Sequence, residues 1–483
     1  MRSAPSIPTS PDSSFVYIPQ HPVLRTNRPT DRLRVVFNAS CRTSTGTTLN
    51  DYLLIGPKLQ TDLAAIVLRW RQWRFIYSAD IIKMYRQILV DPRDIDFQRI
   101  LWQSVPSSSL REYQLLTVTY GMACAPYLAL RVLQQLTLDE GHEFPLAAEV
   151  LRSNIYVDDV LFGSDDVDSL QVRSQLISLL TQGGFTLRKW ASNMPTLLAD
   201  IDSSALISVD NKILAWDDHV KILGLCWNPI RDEFNFTVSS FNSPAVTKRS
   251  ILSIIARLYD PLGWATPVII QAKILIQSLW KSHVGWDDPL AQPLHHEWTD
   301  LSARLYHLNS VKIPRWTHFS PRVPSMQLHG FADASSSAYV AVVFLRLYTD
   351  DHRVVVSLLA GKSKVAPLSP VSVPRLELCA AVLLSRLIVF ATDTLALREV
   401  PVFCWSDSTV VLTWISHHPS RWKMFVANRV AKIQSLVPSA TWRYVPSHEN
   451  PADCPSRGLF ADELVTHPLC WNGPDWLSRE SDS

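Results

Sequence analysis

The 483-residue sequence predicts an α+β protein of several domains, an antiparallel α+β region followed by an α/β region. Three observations predict it. Between about residues 30 and 240, strand, helix, hairpin, helix and strand signals follow one another, an order that suits an antiparallel sheet with helices on one face. Residues 241–324 carry Leu, Ile and Ala at helical spacing. From residue 325, three strand-like runs precede a long helix, then a strand, a helix and a strand.

The elements follow from local chemistry. Residues 1–29 are rich in Ser, Pro and Thr without a period, and read as a flexible leader. LRVVFNAS and RFIYSAD are β-rich, the second ending in Asp80. APYLALRVLQQL opens with Pro126 in a first-turn position and continues as a helix. NIYVDDVLFGS is two apolar runs joined at Asp158-Asp159, a hairpin with its acids at the turn. A helix from near Val167 is stopped by Gly183-Gly184, and FTLRKW returns as a strand. Helical runs around KRSILSIIARL and VIIQAKILIQSLW are broken by DPLG, and the Pro- and Trp-punctuated stretch to Pro324 reads as a linker. MQLHGFAD, SAYVAVVFLRL and VVVSLLAG are strands. A helix from about Pro374 to Leu397, the strand PVFCWSD, the helix RWKMFVANRVAKIQSLV, the strand TWRYVP and a Pro-rich acidic loop complete the second region. The divisions expected are 1–29, 30–240, 241–324, 325–460 and a patternless tail, 461–483.

Composition narrows the class. A hydrophobic fraction of 47% and a charged fraction of 19% are those of a folded globular chain. The 46 basic and 44 acidic residues leave a net charge of +2, which neither favours nor excludes nucleic acid, since a basic groove and an acidic metal site can cancel. The seven cysteines are scattered and none pairs at C-x-x-C spacing, so no zinc ribbon or redox motif is expected. Scattered thiols, no signal peptide and no run of 18 apolar residues point to an intracellular, cytoplasmic protein off the membrane.

Two sets of acids stand out. Phosphoryl transfer to a growing strand needs two divalent metals held by carboxylates on adjacent strands. Asp80 at a strand end and Asp158-Asp159 at a hairpin turn can supply them, although an isolated Asp-Asp is most often turn chemistry. Hydrolysis of a nucleic-acid strand uses the same logic with water as nucleophile, and Asp333, Glu377, Asp407 and Asp453 are candidates for a second set. Singly these are ordinary: turn and cap acids, or for Glu377 an acid that suits the start of a helix dipole. The adjacent pairs His295-His296 and His417-His418 face different sides of a helix and are poor metal ligands. Arg25, Arg28, Arg32 and Arg34 suit a template groove or a solvated face.

Motif order sharpens this. SADIIKMYRQI, YGMACAPYLALRVLQQ, YVDD between apolar strands, LRKWASN and KILGLCW resemble, in order, five motifs of reverse transcriptases. The resemblance implies a right-hand polymerase of fingers, palm and thumb or connection. Asp80 and Asp158 would be its principal metal ligands with Asp159 beside them. Tyr85 would exclude a ribose 2′-hydroxyl, Arg34 would contact the triphosphate, Gly121 would lie in the nucleotide site, and Lys189 near the departing pyrophosphate. Asn38 stands where the family often has Asp. The order β-β-β-α-β-α-β with acids D, E, D, D resembles ribonuclease H, in which His448 would assist product release. FADASSSAYVAVV, VPRLELCAAVLLSRL, SDSTVVLTWI and VPSHENPADCPSRGL look like retrotransposons of the Bel/Pao group, over about Pro19 to Leu477. Implied are an RNA-directed DNA polymerase with hybrid-specific ribonuclease H, using two Mg²⁺ or Mn²⁺ per site. Its partners would be an RNA template, a DNA primer, an RNA–DNA hybrid and deoxynucleoside triphosphates, with oligomeric state open. The tail would lead toward a missing integrase. The alternative is a catalytically silent or truncated relic that binds nucleic acid.

Overall fold

A computed structural model describes residues 1–3, 15–25, 32–103, 105, 107–165, 170–207, 219–239, 246–320, 325–349, 351 and 353–479. Arg28, the start expected near Val167 and the linker's end at 321–324 lie outside the described residues, as do the side chains of Arg25 and Arg32.

The first acidic motif sits on a four-stranded antiparallel sheet, ordered Ile155–Tyr156, Asp159–Ser164, Phe75–Ile81, Leu187–Ser192. Apolar side chains cover both faces. Tyr77, Val160 and Phe162 pack under the helices Ala125–Asp139, Pro145–Ser153 and Leu170–Gln182. Ile76 and Leu161 join the core that holds the helix Leu63–Trp70.

A second sheet, ordered Val354–Val365, Ala338–Tyr348, Ser325–Ala334, Val402–Ser406, Thr441–Tyr444, carries the other acids. Its first three strands are antiparallel and its last two run parallel to Ser325–Ala334. The helix Val373–Leu395 crosses it. By length and composition this is the one described helix able to span a membrane. In the structure Leu378, Ala380, Ala381, Leu384 and Ala391 on it are buried in the core.

A third sheet, Val220–Ile222, Leu225–Asn228, Glu233–Asn235 and Lys312–Pro314, joins the two halves. The helices Lys248–Ile255, Thr266–Lys281 and Gln292–Arg304 pack beside it, and one continuous core runs from Leu63–Trp70 to the second sheet. Gly263 permits the closest approach: a Cβ there would meet the Gly361 carbonyl oxygen at 1.9 Å, and Gly361 N donates to the Leu262 carbonyl at 2.8 Å.

Four expectations need correction. The leader is structured where described: Gln20–Arg25 pairs with Arg32–Phe37, Ile18 is 2% exposed, and Arg2–Ser3 pairs with Tyr113 and Gln114. Its partners are remote strands, which local composition does not reveal. The linker is a structural strap, because Lys312–Pro314 completes the third sheet and Arg315 is 0% exposed. Arg315 donates two 2.6 Å bonds to the Asp232 carboxylate, and others to the Trp70, Trp73 and Arg74 carbonyls. Arg71 bonds the Arg315, Pro314 and Leu358 carbonyls, and burial first, then Arg315, holds its pKa down at about 9. The tail folds back as the helices Ala461–Val465 and Pro468–Asn472, with Leu464 and Leu477 buried and Arg346 bonding the Leu477 and Arg479 carbonyls. The acidic loop contains the helix Asp453–Arg457, and a helix Thr409–Ile415 follows Asp407.

Candidate active sites

The first site is built by strand register. Asp80 pairs across the sheet with Asp159, and Ile81 N donates to the Asp158 carbonyl at 2.7 Å, which ties the strand end to the hairpin turn. Val157 turns the chain at φ 56°. Gln60, which sequence reading missed, holds that turn: its Oε1 accepts from Val157 N at 2.9 Å and its Nε2 donates to the Ile155 carbonyl at 3.0 Å. Lys189, also at φ 56° on the neighbouring strand, bonds the Asp80 carboxylate at 2.6 Å. Burial, then the Asp158 and Asp80 charges, raises Asp159 to about 7, with Lys189 opposing. Asp158 is raised by burial and by Asp80. Crowded acids that resist ionisation are the donor set a divalent cation would relieve.

Tyr85 lies beside this group, since burial and the Asp158 charge raise its hydroxyl. Arg34 is exposed on the strand Arg32–Phe37 and is not brought into contact with the acids. Gly121 packs against that same strand, where a Cβ would lie 2.4 Å from the Phe37 carbonyl oxygen at φ +97°, so packing alone requires glycine. Asn50 fixes the Gly121 loop, donating to the Gly121 carbonyl and accepting from Ala123 N at 2.8 Å. Arg86 was also missed: it stacks on Tyr120 and donates to its hydroxyl at 3.3 Å, beside a cavity of about 470 Å³ lined by Val35, Phe37 and Trp102.

The second site draws on four elements. Ala332 pairs with Ser406 across the parallel strands, so the next residues, Asp333 and Asp407, emerge side by side. Glu377 is the fifth residue of Val373–Leu395, beyond the first turn, so the helix-dipole account of it does not hold. Asp453 opens its short helix and pairs with Arg457 at 2.8 Å. Burial first, then Asp407 and Asp453, raises Asp333 to about 6 against a bond from Ser456. Burial and Asp407 raise Glu377, which Ser408 bonds. Ser447 donates to Asp407 Oδ2 at 2.7 Å, while Asp407 Oδ1 is buried without a hydrogen-bond partner. Buried Asn450 donates to the Ala332 carbonyl at 3.2 Å and accepts from Ala452 N, which anchors the loop before Asp453. An orphaned carboxylate oxygen among four acids fits a divalent metal. These serines and the asparagine escape sequence reading, because each acts on an element remote in the chain. His448 is 80% exposed and lies 3.7 Å from Glu449, one residue from Ser447 but outside the carboxylate contacts.

Of the two histidine pairs, His295, His417 and His418 make local hydrogen bonds. His295 accepts near Thr299, His417 Nδ1 meets the Thr413 carbonyl at 2.8 Å, and His418 caps Ser420.

Fold and acid placement together give a multidomain α+β architecture with a retroelement-type RNase H-like domain. Residues 247–408 match the family model described as the Pao retrotransposon-like RNaseH-like domain, and with that the Bel/Pao resemblance is borne out. Three foamy virus protease–reverse transcriptase structures share the fold, each at 15% identity. The dRH form with double-stranded DNA gives a TM-score of 0.55 over 90% of this chain and 66% of that one. The complex with an RNA/DNA hybrid gives 0.53 over 89% and 50%, and that with double-stranded DNA 0.53 over 90% and 78%. The chain thus spans about two thirds and one half of the first two relatives. No curated protein matches the sequence.

Proposed function

We propose that this chain copies RNA into DNA at the Asp80–Asp158–Asp159 site and cuts the RNA strand of a hybrid at the Asp333–Glu377–Asp407–Asp453 site. The carrying observation is two carboxylate clusters on two sheets, in which burial first and neighbouring acids second hold Asp159 of one and Asp333 of the other above the usual carboxylate range. In this reading the sheet around Asp80 is the palm, the strands before it the fingers, and residues 241–324 the thumb or connection. Each cluster would hold Mg²⁺ or Mn²⁺, which when bound activates the attacking hydroxyl or water and neutralises phosphate charge. Lys189 balances Asp80 before metal arrives; its ammonium, 62% exposed, can turn toward the departing pyrophosphate. Tyr85 fills the space beside Asp158 that a 2′-hydroxyl would need. Arg34 reaches the triphosphate when the strand Arg32–Phe37 closes on it, and Gly121 lets backbone lie against the nucleotide. His448, exposed beside Ser447, assists product release. Nucleic-acid binding is supported by the fold shared with foamy virus enzymes seen on double-stranded DNA and RNA/DNA hybrid. The seven acids gather into two clusters, which does not favour a silent relic.

Primer extension on an RNA template with Mg²⁺ tests the first half: extension by the wild type, lost in Asp158→Asn, supports it. No extension from a folded wild type that binds template would remove it. Tyr85→Ala is expected to incorporate ribonucleotides; unchanged sugar selection would remove the gate.

A further inference from the structure

The sequence shows no zinc spacing, yet folding of the tail brings three soft ligands together. Ligand atoms of Cys454, His467 and Cys470 lie within 4.8 Å of one another. The spacing, C-x12-H-x2-C, escapes a search for paired cysteines because its members lie on separate helices. Cys454 is the second residue of Asp453–Arg457, whereas His467 and Cys470 bracket one turn, with Cys470 N donating to the His467 carbonyl at 3.2 Å. That turn points both side chains the same way.

We propose that Cys454, His467 and Cys470 form a Cys2His site for a zinc-type cation, clasping the C-terminal segment onto the helix that carries Asp453. Zinc–sulfur bonds of about 2.3 Å and zinc–nitrogen bonds of about 2.0–2.1 Å set a tetrahedral S···N edge of about 3.6 Å. The Cys454 Sγ to His467 Nε2 distance is 3.6 Å. Two thiols and an imidazole suit zinc and not magnesium, whereas the neighbouring carboxylates accept magnesium, so excess Mg²⁺ occupies the carboxylates and leaves the thiol site free. Cys470 is buried while Cys454 and His467 are half-buried, which leaves a side for water as fourth ligand. His467 Nδ1 is buried without a partner in the protein, and water is the group that would orient the ring from that side. Metal binding displaces the two thiol protons to solvent and changes no oxidation state. The site stiffens the Asp453 helix from behind, because Gly458 N closes that helix on the Cys454 carbonyl at 2.8 Å. It does not depend on catalysis at either acidic cluster.

The test is Co²⁺ and Zn²⁺ titration of the reduced, chelator-stripped full chain with Mg²⁺ in excess to fill the carboxylates. The expected result is one Co²⁺ per chain with sulfur-to-cobalt charge-transfer absorption, displaced by Zn²⁺ and raising Tm. The band is expected to vanish in Cys470→Ser, and affinity to fall more than about tenfold in His467→Gln, which keeps the side-chain volume. Cys41→Ser and Asp333→Asn are expected to retain the band. Absence of the band in the folded wild type would overturn the proposal. So would a band that survives both Cys470→Ser and His467→Gln. A Cys454–Cys470 disulfide, found by mass in protein isolated under reducing conditions, would equally replace it.

Discussion

The two acidic clusters are assembled in different ways. The first comes from one antiparallel sheet, where register alone sets Asp80 opposite Asp159 and a tight turn supplies Asp158. Two side chains support it: Gln60, which bonds the turn from an earlier segment, and Lys189 on the adjacent strand. The second gathers two strand ends, a long helix and a short late helix, from Asp333 to Asp453, and uses hydroxyl and amide anchors at Ser408, Ser447, Ser456 and Asn450. A site made by register needs few outer bonds. A site made from four elements needs an anchor for each, and is the more fragile to their loss.

That contrast can be broken at several depths. The largest expected effect is from Asp333→Asn, which should cut hybrid cleavage by about three orders of magnitude or more while primer extension persists. Cleavage kept within a few-fold would place Asp333 outside the site. Next is Arg315→Ala, which removes the ion pair to Asp232 and leaves its carboxylate with only the Trp227 and Asn193 hydrogen bonds. It should cost about 3 kcal/mol or more in urea unfolding, with both activities falling together as the protein unfolds. A loss under about 1 kcal/mol would mean that the strap is dispensable. Ser447→Ala should lower hybrid cleavage by about 10–100-fold with extension unchanged. An equal loss of both would contradict the local role of the anchor.

The smallest effect is on pH. Folded Asp159 and Asp333 keep protons to about 7 and about 6, whereas unfolded they release them near 3.8. Without metal the native state therefore binds more protons than the unfolded one, and stability falls as pH rises, from about 4 to about 7 for Asp159 and to about 6 for Asp333. Protons then compete with Mg²⁺: half-saturation for extension should rise by up to about tenfold from pH 7 to 6, while that for cleavage moves mainly below 6. Parallel shifts of the two activities would erase the distinction.

Much of this was legible in the sequence where the signal is local. The strands ending in Asp80, Asp333 and Asp407, the YVDD hairpin, and the Pro-led helices at Pro126 and Pro374 follow from side-chain alternation and turn chemistry. Illegible were features made by distant partners. Gln20–Arg25 is a strand because Arg32–Phe37 pairs with it, and Pro22 hides it. Arg315 looks like a linker charge until Asp232 and three carbonyls enclose it. The tail lacks a period because its short helices are held by Arg346 and the core, and Cys454, His467 and Cys470 meet only after it folds back. Lys189 was expected near pyrophosphate; its bond to Asp80 needs the register of a third strand.

The most direct test measures primer extension and hybrid cleavage side by side on purified wild type, Asp158→Asn and Asp407→Asn, with folding checked by thermal unfolding. Two independent clusters predict that Asp158→Asn loses extension and keeps cleavage, and that Asp407→Asn does the reverse. Loss of both activities in either folded variant would contradict the two-site account.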